Sequence, residues 1–175
     1  MNAKRLMAMM TARGVSIGAV GGGTAEITRA DVAAGLSFAG VSVTADRLIR
    51  LAYCDDVSQI ALLKAGLVHE MRNEVTCGRS MLYAMVSLAL MELMGRRLCA
   101  TCNGAGTVAT KCCSVCHGAG LKAWSQRARA EALSVAQTTF RREHENNANK
   151  VYQYVVNLES DALSALAKQF ADRAA

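Results

Sequence analysis

The sequence predicts a mostly α-helical protein: a helical body into which a short four-cysteine module is inserted, followed by a helix-turn-helix. Three observations predict it. None of the 175 residues is proline and only 5% are aromatic, while alanine, leucine, methionine and arginine are frequent and the residues that fill strands are sparse. Apolar residues recur at steps of three and four along several segments. Two cysteine pairs with the same glycine pattern lie in one stretch, residues 99–120. This composition excludes an all-β sandwich or barrel. A chain of this length can bury a core of its own, so its seven cysteines are not needed as disulfide staples and require another explanation.

Residues 14–23, GVSIGAVGGG, hold five glycines and no apolar period, so residues 1–27 are expected to form a flexible arm that carries no chemistry. Lys4 and Arg5 precede an apolar run that Arg13 soon interrupts, which leaves no full secretory segment. The longest apolar stretch, residues 81–94, contains Glu92 and is too short to span a bilayer. A cytoplasmic protein without membrane association is therefore expected.

Residues 28–98 read as a helical body. TRADVAAGLSFAG and TADRLIRLAY are expected to be two short helices with Thr28 and Thr44 as N-caps. Asp56 or Ser58 is placed to cap a third helix, whose Ile60, Leu63, Leu67, Val68 and Met71 share a face. Leu82, Met85, Val86, Ala89, Leu90, Leu93 and Met94 mark a fourth core helix, which Gly95, Arg96 and Arg97 end. Its methionines read as core filler.

The cysteine segment is the most informative part of the chain. Cys99 and Cys102 form one C-x-x-C, Cys113 and Cys116 another, and the eight-residue unit repeats as CATCNGAG and CSVCHGAG. Two such knuckles can bring four thiolates around one tetrahedral Zn²⁺, and the glycines allow turns that aim amide N–H groups at the sulfurs. Neither incidental buried thiols nor a redox C-x-x-C pair explains why the glycines recur after both pairs. A closed set of four sulfurs leaves no coordination position for substrate, so residues 99–120 are expected to be a structural module holding one zinc. Cys112 and His117 read as bystanders, and Cys54 and Cys77 as small buried apolar residues.

Residues 121–175 are expected to form the helix-turn-helix and a C-terminal helix. Over residues 96–142 there are eight basic residues against Glu131 alone, a local charge of +7 in a chain of net charge +6, so the rest is close to neutral and this segment is a footprint for a polyanion. In RARAEALSVAQTTFRREH a helix, a turn and a helix follow one another, and Thr138, Thr139, Arg142 and Asn146 can share an exposed face suited to base edges. Arg127 and Arg129, on the first helix, suit phosphates. Trp124 is placed to pack the module against the helix pair. Phe140, Ala148, Val151, Val155, Leu158, Ala162, Leu166 and Phe170 keep an apolar stripe through one long helix or two closely joined ones. No Ser/His/Asp arrangement, phosphate loop or carboxylate pair points to an enzyme.

With these residues the sequence resembles the Q family of late-gene antitermination proteins of lambda-type phages. The resemblance spans about residues 27–170 and is specific over residues 99–142, where CATCNGAG and CSVCHGAG precede the helix pair. The knuckle is also similar to the zinc repeat of DnaJ cochaperones, which carry four copies and an HPD tripeptide that this proline-free chain lacks. The Q resemblance implies a factor that binds double-stranded DNA at a late promoter. It also implies engagement of paused bacterial RNA polymerase with its sigma subunit and the elongation factor NusA, and passage through terminators. It implies zinc ligands at Cys99, Cys102, Cys113 and Cys116, DNA contacts at Thr138, Thr139, Arg141 and Arg142, and backbone contacts at Arg127 and Arg129. The chain departs from the family in closer knuckles, the extra Cys112 and a turn without proline. Rival readings are a chaperone-like module that binds proteins, and a DNA-binding repressor or activator without antitermination.

Overall fold

The computed structural model describes residues 40–54, 56–95, 97–99, 101–102, 105–118, 120–122 and 124–173. The expected arm, the helix expected from Thr28, Arg96 and the side chains of Arg97, Lys122 and Phe170 lie outside the described residues. Helices dominate, as the composition predicts. In chain order they are α1 (Val43–Cys54), a 3-10 turn (Val57–Gln59), α2 (Ile60–Met71) and α3 (Arg79–Met94). Four two-residue strands follow: β1 (Arg97–Leu98), β2 (Thr107–Val108), β3 (Lys111–Cys112) and β4 (Leu121–Lys122). Then come α4 (Gln126–Ala132), α5 (Gln137–Thr139), a π-helical turn (Phe140–His144) and α6 (Glu145–Arg173). None of the described helices is long and apolar enough to cross a membrane.

The described residues fall into two compact units, residues 40–67 with 156–173, and Val68–Val155. α3, the cysteine module and α4 fall in the second unit, and the end of α6 belongs to the first.

In the first unit, Ser42 caps α1, its Oγ accepting from the Ala45 N–H at 3.2 Å. The expectation that Thr44 is the cap is corrected: Thr44 lies inside the first turn and is buried. A Cβ on Gly66 would stand 3.0 Å from Thr44 Oγ1, so a residue without a side chain in α2 makes room for that threonine. Ala45, Ile49 and Tyr53, each four residues apart, pack with Ala162, Leu163 and Leu166 of α6. The buried Tyr53 hydroxyl donates to Glu159 Oε1 at 2.6 Å. Asp56 accepts from the Ser58 N–H and so caps the 3-10 turn that leads into α2. Leu63 and Leu67 are fully buried, whereas Ile60, expected on the same face, is 37% exposed in the first turn.

In the second unit, α3 buries Leu82, Met85, Val86, Ala89, Leu90 and Leu93 as its spacing predicts, but Met94 is 45% exposed. The Gly95 amide closes the helix on the Met91 carbonyl at 2.8 Å. Ser125 caps α4, its Oγ accepting from the Ala128 N–H at 3.2 Å. The far end of α4 is a Schellman motif: Val135 N–H donates to Ala130 O and Ser134 N–H to Glu131 O, each at 3.0 Å. Ser134 takes the left-handed conformation there, with φ 56°. Phe140 is fully buried, and the Glu145 amide reaches back five residues to its carbonyl, which makes the π turn. The last segment is thus one helical run over residues 137–173 with a widened turn near its start.

Ser134 holds a conformation that costs an L-residue about 1–2 kcal/mol and glycine almost nothing. After glycine's larger unfolded-state entropy is set against it, Ser134→Gly is expected to stabilise the fold by about 0.5–1 kcal/mol. Thermal unfolding should shift up by about 1–4 °C; a lower midpoint would show that the serine side chain makes up for its backbone.

Candidate metal centre and the basic helix pair

The two knuckles fold as copies of one another. Residues 97–108 and 111–122 are related by an offset of 14, and each half reads strand, C-x-x-C, x-G-x-G, strand. β1 pairs antiparallel with β4, and β2 with β3; Arg97 stands opposite Lys122 and, in the copy, Lys111 opposite Val108. Each knuckle's first cysteine donates its backbone N–H to the last glycine of the other: Cys99 to Gly120 O and Cys113 to Gly106 O, both at 2.9 Å. The repeat therefore closes on itself with twofold-like exchange. The sequence reading found only its eight-residue core; the basic residue that opens each copy was the signal for the rest.

This closure gathers four buried sulfurs. Cys99 Sγ lies 3.9 Å from Cys113 Sγ, and Cys102 Sγ 3.6 Å from Cys116 Sγ. All four lie within 4.8 Å of one another, close enough to hold a metal ion. A tetrahedron of thiolates about 2.3 Å from a Zn²⁺ has edges of about 3.8 Å. None of the seven cysteines is in a disulfide.

The turns tune these thiols. Backbone amides of Cys102 and Thr101 pull Cys99 down to about 7, and those of Cys116 and Val115 lower Cys113. Burial pushes Cys116 up to about 11, while the Gly120 N–H donates to its sulfur at 3.3 Å. Glycine is required at position 106, where φ is +77° and a Cβ would stand 2.5 Å from the Gly118 carbonyl oxygen. His117 is exposed in the left-handed turn of its knuckle, with φ 49°. Cys112 is exposed on β3 in the register position that Leu98 holds in the first copy, which explains why it breaks the C-x-x-C phase. Cys54 and Cys77, expected to be buried, are half-buried.

Beyond the module, Trp124 is half-buried, and a Cβ on Gly95 would stand 3.8 Å from its ring, so it lies beside the end of α3. Arg127, Thr138, Arg141, Arg142 and Asn146 are exposed and Thr139 is half-buried. Arg127 pairs with Glu131 at 3.0 Å and Arg142 with Glu143 at 2.5 Å, exposed ion pairs of little energetic weight.

Arg129 is different, and the expectation that it grips phosphate is corrected. It is only 9% exposed, and its Nε donates to Glu92 Oε1 at 2.6 Å and its Nη1 to Asn149 Oδ1 at 2.7 Å. The guanidinium carbon lies 5.8 Å from the centre of the Phe140 ring. Burial pushes the Glu92 carboxyl up and Arg129 pulls it down. Sequence reasoning missed this network, although Glu92, an acid in an otherwise apolar run, was its visible sign.

Comparison of the chain with protein-family models, with curated proteins and with solved structures finds no match.

Two outcomes are expected of the cluster. Cys113→Ser should lose bound Zn²⁺ and Cys112→Ser should keep one ion per chain by elemental analysis; loss in both would make Cys112 a ligand. Zinc affinity should also fall as the pH is lowered, because binding displaces thiol protons. With Cys99 pulled down to about 7, its share of the slope should be present below that pH and lost above it. Competition with a chelating dye measures the slope, and an affinity indifferent to pH would overturn a thiolate site.

Proposed function

We propose that this chain is a non-enzymatic DNA-binding protein with one structural Zn²⁺, and that it acts as a transcription antiterminator. Cys99, Cys102, Cys113 and Cys116 hold the ion. Four sulfurs close its coordination shell, so the ion supplies folding energy and charge neutralisation and leaves no position for a substrate.

One observation carries the reading: the four-cysteine cluster stands directly before a helix pair, the first helix capped by Ser125, that exposes Arg127, Thr138, Arg141, Arg142 and Asn146. These side chains are the types that contact phosphates and base edges. Arginine suits guanine, asparagine suits adenine, and threonine suits a thymine methyl group or a phosphate. The ion pairs of Arg127 and Arg142 with neighbouring glutamates are weak enough to be exchanged for phosphate. The likeness of residues 99–142 to the Q family adds the step beyond DNA binding: engagement of bacterial RNA polymerase, with its sigma subunit and NusA, just after a late promoter, followed by readthrough of terminators. The helical body is the docking surface in this reading.

Exposed Val108 and Val115 on the cysteine module support a second reading, a module that binds apolar segments of other proteins. Salt separates the two, since affinity that rests on several phosphates falls steeply with ionic strength and apolar peptide binding does not.

The deciding experiment is transcription by purified bacterial RNA polymerase on the DNA that follows this protein's own gene. Added protein should raise terminator readthrough, and only when a promoter-proximal segment is present. Saturable DNA binding without readthrough would reduce the assignment to a DNA-binding regulator, and no binding would leave the protein-interaction module. On a preferred duplex, Arg142→Ala should cost about 1–3 kcal/mol if it reads a base. An equal loss on random DNA would reassign it to phosphate.

A further inference from the structure

Arg129 joins three separate parts of its unit. It sits on α4, forks onto Glu92 of α3, with Nε to Oε1 at 2.6 Å and Nη2 to Oε2 at 3.4 Å, and reaches Asn149 of α6. Its planar face lies over Phe140, the first residue of the π turn that carries Arg141 and Arg142. Both members of the ion pair are buried, Glu92 at 6% and Arg129 at 9% exposure. A buried pair of this kind costs desolvation that well-packed apolar side chains would not, so its contribution lies in geometry more than in stability. Arginine's rigid fork, unlike a lysine ammonium, fixes direction as well as distance. A second tie, Gln126 Nε2 to Glu145 Oε1 at 2.6 Å, joins the start of α4 to the first residue of α6, directly after the π turn.

We propose that Arg129 is the positioning residue of the helix pair: through Glu92, Asn149 and Phe140 it sets the orientation of the π turn, and with it the DNA sequence preference, while touching no DNA itself. The proposal rests on the DNA-binding reading above for its functional half. Its structural half stands on contacts within one unit and can be tested without DNA. The arginine that looked most like one more phosphate contact is, on this account, the one that aims the others.

The test uses the full zinc-loaded chain. Arg129→Met breaks the pair, and Glu92→Met combined with Arg129→Met replaces it with apolar side chains that keep the fold even if the single variant does not. The probes are a duplex selected by the wild-type protein from a random pool and a scrambled duplex of the same length. The double variant should melt as one cooperative unit, retain its zinc, and lose preference for the selected duplex by roughly tenfold. Binding to the scrambled duplex and its salt slope should not change. A salt slope lower by about one, with equal loss on both duplexes, would make Arg129 a phosphate contact and overturn the proposal. An unchanged preference would overturn it as well.

Hydrogen exchange of the amides over residues 140–145 gives the readout that does not depend on DNA. Faster exchange there in the double variant, with α3 still protected, is expected; unchanged exchange overturns the positioning role. If the wild-type chain selects no duplex, the DNA-binding reading falls, and this measurement alone decides whether Arg129 positions the turn.

Discussion

Four cysteine sulfurs held within 4.8 Å of one another are the constraint around which residues 97–122 are built. The strands here are two residues long, far below the length at which a hairpin holds itself together in water. Apart from the cysteines, the described side chains of this segment bury almost nothing apolar. What closes the module is the pairing of each knuckle with the other, through two crossed amide–carbonyl bonds and sulfurs brought together from both halves. Four sulfurs this close could hold a metal ion, and a site drawn from both knuckles would tie such binding to the closure of the segment. Because β1 follows α3 and β4 leads to α4, closing the module also fixes where the chain leaves one helix and enters the next.

The electrostatics of the unit divide by burial. Over residues 96–142 the sequence is strongly basic, but the members of that set do different work. Arg127, Arg141 and Arg142 face solvent, where the pairing of Arg127 and Arg142 with neighbouring glutamates is weak and reversible. Arg129 is withdrawn into a network of a carboxylate, an amide and an aromatic ring. Its charge is spent inside the protein, so it adds little to the field that an approaching polyanion meets. The basic surface is smaller than the count of residues suggests, and it is carried by a segment whose orientation is set from within.

Much of the fold was legible because it depends on local pattern. The helix-forming composition, the apolar spacing of residues 82–93, the glycine that ends α3 and the turn before Gln137 all act within a few residues of themselves. The four clustered cysteines were legible for a related reason, since a cluster within a short segment draws its members from nearby in the chain. Where the pattern misled, a distant partner intervened. Thr44 looks like a cap, but Ser42 stands two residues earlier and Thr44 is taken up by the bare backbone at Gly66. Cys112 read as a bystander, but why it breaks the C-x-x-C phase was visible only once the strands gave it a register, because a 14-residue offset is hard to see when only part of its positions match in chemistry.

By itself the sequence determined the helical class, the repeated knuckle and the presence of a basic segment, each a property of residue types and short spacings. Only the tertiary structure decided that Arg129 is buried, that Glu92 is its partner, that a π turn widens the start of the last helix, and that the two knuckles exchange hydrogen bonds. Glu92 and Arg129 lie 37 positions apart, and Arg129 and Asn149 lie 20 apart. The free energy of such pairs depends on the solvent removed when two helices meet, which no local spacing encodes.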